Sequence, residues 1–119
     1  MDMLYYIYIG SNRVTIDHLS KITGGMFMAV SSCNKAAKVI DGIRERYNTS
    51  ILYEESTPQK DSQNITFLHK RFPRVYIILI TEGLQKEHRK LYLQAGVNNT
   101  LSPMASEESL LQMVKFLRL

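Results

Sequence analysis

The chain switches repeatedly between two hydrophobic rhythms, one suited to strands and one to helices, and a turn-forming cluster stands at nearly every switch. Leu4 to Ile9 is a run of β-formers stopped by Gly10-Ser11-Asn12, and Met26 to Val30 is a second, introduced by Gly24-Gly25. Ser50 to Tyr53 runs into Glu54-Glu55 and then Ser56-Thr57-Pro58. Val75 to Ile80 is apolar throughout and stops at Thr81-Glu82-Gly83, as a strand covered on both faces of a parallel sheet would. A shorter strand is expected over Asn99 to Leu101, ahead of Ser102-Pro103.

The intervening stretches carry helical spacing. Ala36, Ile40, Ile43 and Tyr47 recur at intervals of four, three and four, which predicts one buried helix face opposite Lys35, Lys38, Asp41 and Arg44. Ile65, Leu68 and Phe72 repeat at three and four until Pro73 limits the continuation. Leu84, Leu91 and Ala95 mark a further helix, which Gly96 can end in a left-handed conformation because it has no Cβ. Ser106 is placed to cap the last helix, with Glu107 and Glu108 where the helix dipole favours anions. A first helix is expected over about Val14 to Ile22. Five strands alternating with five helices make βαβ units, and these crossovers require a parallel sheet with helices on both faces. The expected fold is α/β, three-layered and doubly wound.

Length and composition narrow the function. The 119 residues are the size of one domain, and 45% hydrophobic with 22% charged residues is ordinary for a folded globule, not for a disordered or fibrous chain. The single cysteine, Cys33, can form neither an internal disulfide nor a multi-thiolate metal site, and the cytoplasm is the expected address. The longest apolar run is far short of the roughly 20 residues that cross a bilayer. The formal charge of +4 is spread over Lys35, Lys38, Arg44 and Arg46, over Lys70, Arg71 and Arg74, and over Lys86, Arg89 and Lys90. These read as solvated helix faces, with direct nucleic-acid binding as the other reading.

In an open parallel sheet, chemistry gathers at the carboxyl ends of the strands. That rule nominates Gly10-Ser11-Asn12, Glu54-Glu55, Thr81-Glu82 and Ser102-Pro103. Gly10 to Arg13 lacks both a dinucleotide-binding glycine pattern and a Gly-Lys-Ser/Thr sequence, so nucleotide hydrolysis is not expected. His18, His69 and His88 have no ligand spacing, and Cys33 has no evident histidine partner.

The ordered series Val75-Tyr-Ile-Ile-Leu-Ile-Thr81, Gln94-Ala95-Gly96-Val97-Asn98-Asn99, Leu101-Ser102-Pro103 and Leu110 to Leu117 resembles the receiver domains of bacterial two-component response regulators, and Ala36-Ala37-Lys38-Val39-Ile40 resembles the start of their second helix. The resemblance spans the chain. It implies a flavodoxin-like sheet of order 2-1-3-4-5 with five helices, in what would be the N-terminal part of a longer regulator. In such domains an acidic pair after the first strand holds Mg²⁺, an aspartate ending the third accepts a phosphoryl group, and a Thr or Ser and a Lys contact its oxygens.

Here the pattern is broken. Gly10, Ser11 and Asn12 stand where the acidic pair belongs, Glu54 lies four residues before Pro58 where the acceptor belongs, and Ser102 replaces the lysine before Pro103. The loop after Gly96 is one residue short, and of the functional positions Thr81 alone matches. Mg²⁺ typically needs one or two carboxylates, so no metal, no other cofactor and no catalytic residue is expected, and the chain reads as a degenerate receiver rather than an enzyme. Glu54 reads either as a tolerated polar residue at a strand end or as a permanent negative charge that biases Thr81 toward its active-like position, with Ser102 the other switch position.

The resemblance also implies signalling by contact: a protein partner or homodimer through the fourth helix, fifth strand and fifth helix, a cognate histidine kinase, and DNA only through an output domain outside this chain. On the last helix, Leu110, Val114 and Leu117 form a core stripe with Met113 beside it, while Phe116 and Leu119 lie off it. Phe116, with Arg89, Lys90 and Leu93, makes the expected interface. The alternative is a small flavodoxin-like ligand-binding protein or enzyme using the strand-end crevice.

Overall fold

Strands and helices alternate throughout residues 3–118, which the computed structural model describes. They run β1 (Met3–Ile9), α1 (Arg13–Ile22), β2 (Phe27–Val30), α2 (Cys33–Ile43), β3 (Tyr47–Glu54), α3 (Pro58–Arg71), β4 (Tyr76–Ile80), α4 (Lys86–Ala95), β5 (Asn99–Leu101) and α5 (Glu107–Val114), closed by a 3₁₀ turn over Lys115–Arg118. Every strand pairing is parallel and the order is β2-β1-β3-β4-β5, the arrangement the resemblance implies.

Alternation along the strands divides the core in two, because successive side chains leave opposite faces of a sheet. Ile7, Ile9, Ile51, Tyr53, Ile77 and Leu79 face α2, α3 and α4. Leu4, Tyr6, Tyr8, Leu52, Ile78 and Ile80 face α1 and α5. Side-chain caps fix three helix starts: Asn12, Ser32 and Ser106 accept the amides of Thr15, Lys35 and Ser109. At the far edge Asn98 imitates a strand residue, accepting the Ile77 amide through its side chain and donating its own amide to the Ile77 carbonyl, both at 2.8 Å.

Several expectations need correction. Tyr47 is not the fourth member of the α2 face: Arg44 caps α2, and Tyr47 opens β3, its ring edge-on to Tyr5 of the neighbouring strand at 5.4 Å. Cross-strand aromatic packing outweighs the continuation of a helical spacing. Leu84 precedes α4, whose buried face is Tyr92 and Ala95, with Leu91 only half-buried. The helix thus turns its face by one residue to bring the Tyr92 ring into the core. Gly96 ends it at φ +127, a conformation open to glycine, and a Cβ there would meet the His69 ring at 2.7 Å. Leu117 and Phe116 belong to the 3₁₀ turn and not to α5, and Leu119 lies outside the described residues. Among the described residues no helix is long and apolar enough to cross a membrane.

Candidate functional site

At the carboxyl end of the sheet, β3 finishes with two side chains that leave opposite faces, and each organises its own polar cluster. Glu54 turns toward the α1 and α5 side. Its carboxylate folds back on the β1–α1 loop, accepting the Tyr8 hydroxyl at 2.5 Å, the Asn12 amide at 2.9 Å and the Ser11 amide at 3.4 Å. Burial and then the bond to Glu54 push the Tyr8 phenol well above its usual range, so it stays a donor. Space for this fold-back comes from Gly10: a Cβ at that position would stand 2.6 Å from the Glu54 Cβ and carboxylate.

Glu55 goes instead to Thr81, whose hydroxyl donates to it at 2.6 Å while accepting the Gly83 amide at 3.2 Å. The expected link from Glu54 to Thr81 is therefore not a contact; the neighbouring carboxylate makes it. Ser102 is turned into its own loop, accepting the Met104 amide at 3.2 Å. The cleft between these groups, about 440 Å³, is lined by Tyr8, Asn12, Glu54, Glu55, Thr81, Glu82 and Pro103 among others. Ser102 does not reach it. Three carboxylates and no Lys or Arg line it, so the crevice is uniformly acidic.

Mg²⁺, which the fold would suggest here, does not fit these residues. The β1–α1 loop offers no carboxylate, both oxygens of Glu54 already accept protein donors, and Glu55 holds Thr81. Among the described residues no three His, Cys, Asp or Glu side chains are grouped to hold a metal ion. His18 serves structure, with its Nε2 on the Ala105 carbonyl at 2.5 Å.

The other cluster went unread in the sequence. Tyr53 turns toward α3, where Asp61 is 1% exposed. Asp61 accepts the Tyr53 hydroxyl at 3.0 Å, the Ser56 amide at 2.7 Å and the Tyr92 hydroxyl at 2.8 Å, and Asn64 donates to the Tyr53 oxygen at 2.9 Å. One buried carboxylate thus ties the β3–α3 loop to α4. Its signal was present: Asp61, Ile65, Leu68 and Phe72 follow at four, three and four, so an acid occupies a core position of that stripe. Cys33 packs nearby, its thiol pushed up to about 11 by burial and then by the Asp61 charge, which makes it a poor nucleophile.

On the expected interface, Arg89 and Leu93 line a cleft of about 360 Å³ with Asn99 and Thr100 of β5, and Leu93 is 57% exposed. Lys90 and Phe116 do not line it. Phe116 stacks edge-on to Tyr76 at 5.1 Å, so half of its cover is intramolecular.

The fold is that of signal receiver domains. Similar solved structures include the receiver domain of an HD domain-containing protein from Pseudomonas fluorescens Pf-5 (TM-score 0.77, 15% identity, 98% of this chain and 87% of that one). A CheY-like protein, tadZ, from Pseudomonas aeruginosa PAO1 gives TM-score 0.76 at 13% identity over 98% and 94% of the two chains. An atypical orphan response regulator with a phosphorylation-independent regulatory mechanism gives 0.72 at 13% over 96% and 93%. No family model and no curated protein matches the sequence. At these identities the likeness speaks to architecture alone.

Gly10→Ala tests the Glu54 fold-back directly. The new methyl group would displace Glu54 from the loop amides and lower stability by about 2 kcal/mol. Glu54→Gly in the same chain should recover part of that loss in a double-mutant cycle by chemical denaturation; strict additivity would mean the two residues do not oppose each other.

Proposed function

We propose that this domain is an atypical response-regulator receiver, without enzymatic activity, that signals in a phosphorelay setting through protein contacts and not through Mg²⁺-dependent phosphorylation. The observation that carries the reading is the engagement of Glu54, the acceptor-position carboxylate, by Tyr8, Asn12 and Ser11. A group so held cannot swing to an in-line phosphodonor, and three carboxylates around the cleft repel a phosphate that no cation neutralises. The phosphorylation-independent mechanism of a structurally similar orphan regulator supports the same view by analogy. On this reading the protein works in the cytoplasm, ahead of an output domain that contacts DNA. Its own contacts run through α4 and β5, where exposed Leu93 stands beside Arg89, with Lys90 and Phe116 flanking.

Incubation with Mg²⁺ and acetyl phosphate should leave the intact mass unchanged. An acid-labile phosphoryl adduct would refute the inactive site. In sedimentation velocity the chain should self-associate with rising concentration, and Leu93→Glu should return it to monomer. A concentration-independent monomer removes the dimer but leaves the question of phosphorylation to the mass measurement.

A further inference from the structure

A recess of about 600 Å³ lies at the opposite end of the sheet from the receiver-type crevice, where α2 and α3 finish and β3 and β4 begin. Two basic groups that the sequence separates converge there: Arg44 from the turn after α2, and Arg71 and Arg74 from the end of α3 and the turn after it. Arg44 and Arg71 share Asp41 as counter-ion, and Arg71 also lies over the Phe72 ring at 5.3 Å. Among the described residues Arg74 makes no ion pair. Glu45 is the only acid in the lining, so the recess keeps a positive excess.

A second, independent feature sits in its wall. Thr49 is 7% exposed, and among the described residues its hydroxyl has no hydrogen-bond partner. Buried polar groups are paired in the great majority of cases, so an orphan hydroxyl in the wall of a recess that Arg44, Arg71 and Arg74 also line is a polar group still lacking its partner. The remaining surface is apolar, with Ile40, Phe72, Pro73 and Val75. A volume of this size suits a small molecule, and the mixture of cations with apolar surface suits an anion carrying an apolar body.

We propose that this recess binds a small organic anion, a phosphate monoester or carboxylate with a flat apolar portion, whose charge meets Arg74 and Arg44 and whose oxygen reaches the Thr49 hydroxyl. A flat duplex is a poorer fit, since Asp41 and Glu45 stand among the arginines and the apolar surface would be left uncovered. The site is independent of the signalling reading and survives its failure.

The test is a nuclear magnetic resonance titration of the ¹⁵N-labelled domain with phenyl phosphate, beside inorganic phosphate and phenol. Saturable shifts centred on Thr49, Phe72 and Arg74 are expected, with phenyl phosphate binding more tightly than either fragment. Arg74→Ala, at an exposed and unpaired position, should weaken binding about tenfold, as the loss of one charge-assisted contact would. Thr49→Val should raise the melting temperature of the free protein, because it removes an unpaired hydroxyl, and yet weaken phenyl phosphate. That opposed pair of effects is one a merely structural Thr49 would not give. Absence of saturable shifts, or affinity untouched by Arg74→Ala, overturns the site. Tighter binding of a short DNA duplex, with a steep salt dependence, overturns it in favour of a polyanion surface.

Discussion

Asp61→Ala lowers the unfolding free energy by about 3 kcal/mol, the range expected when a buried group is removed and its partners are left unpaired. In a domain of this size that corresponds to a fall of roughly 10 °C in melting temperature. The Ser56 amide and the Tyr53 and Tyr92 hydroxyls all donate to this one carboxylate, which is 1% exposed. An alanine supplies none of the acceptors. Asp61→Asn should lose less. Its oxygen can keep Ser56 and Tyr92, which share Oδ2, but its amide then faces a Tyr53 hydroxyl that already accepts from Asn64, so one donor loses its acceptor. Differential scanning calorimetry of the three proteins decides the matter, and an alanine variant within 1 °C of the parent would show that the network contributes nothing.

The consequence extends past stability. Ser56 belongs to the loop between β3 and α3, two residues from Glu54, while Tyr92 belongs to α4, whose next residue is the exposed Leu93. Asp61 therefore joins the strand-end crevice to the proposed contact surface through a single group. Tyr92→Phe removes that tie with little change of volume, and loosening of α4 would register as faster amide exchange over Lys86–Ala95.

The sequence disclosed the frame of this molecule better than its polar interior. The five strands and their parallel pairing followed from runs such as Val75 to Ile80, whose unbroken apolar character has only one good home, between two layers of helices, whereas the order 2-1-3-4-5 came from the resemblance to receiver domains. Element ends were less legible. Tyr47 fits a helical interval and a strand equally well on spacing, and only its packing on Tyr5 separates the two. The crevice was legible as a list of loops but not as a set of contacts. That Glu54 bonds the β1–α1 loop while Glu55 takes Thr81 depends on strand alternation at the last residue of β3, a parity that a terminus uncertain by one residue cannot fix. The Arg44, Arg71 and Arg74 recess needed the fold itself, because no local pattern records that α2 and α3 end side by side.

Alkaline titration gives the other large effect. Tyr8, Tyr53 and Tyr92 are buried, and burial is the leading cause that raises each phenol well above the usual value of about 10. The Glu54 bond adds to it at Tyr8 and the Asp61 bond at Tyr92, whereas the Asn64 hydrogen bond partly offsets it at Tyr53. Below about pH 9 all these groups are protonated whether the chain is folded or not, and their contribution is fully present. Above pH 10 the unfolded chain releases phenolic protons that the folded one retains, so stability falls as pH rises. The limiting slope is about 1.4 kcal/mol per pH unit for each buried tyrosine. Cys33, raised to about 11 by burial and then Asp61, begins the decline from about pH 9, more weakly because it is half-buried. Three tyrosines together approach 4 kcal/mol per unit at that limiting slope, a large part of the total for an ordinary domain. Denaturant midpoints measured from pH 8 to 11 should therefore be level at first and drop steeply beyond 10. Tyr8→Phe should reduce the steep slope by about a third, since one of the three titrating groups is then absent from both states. A midpoint that stays level to pH 11, or phenolate absorbance of these tyrosines developing while the fold is intact, would show that their hydroxyls are open to solvent after all.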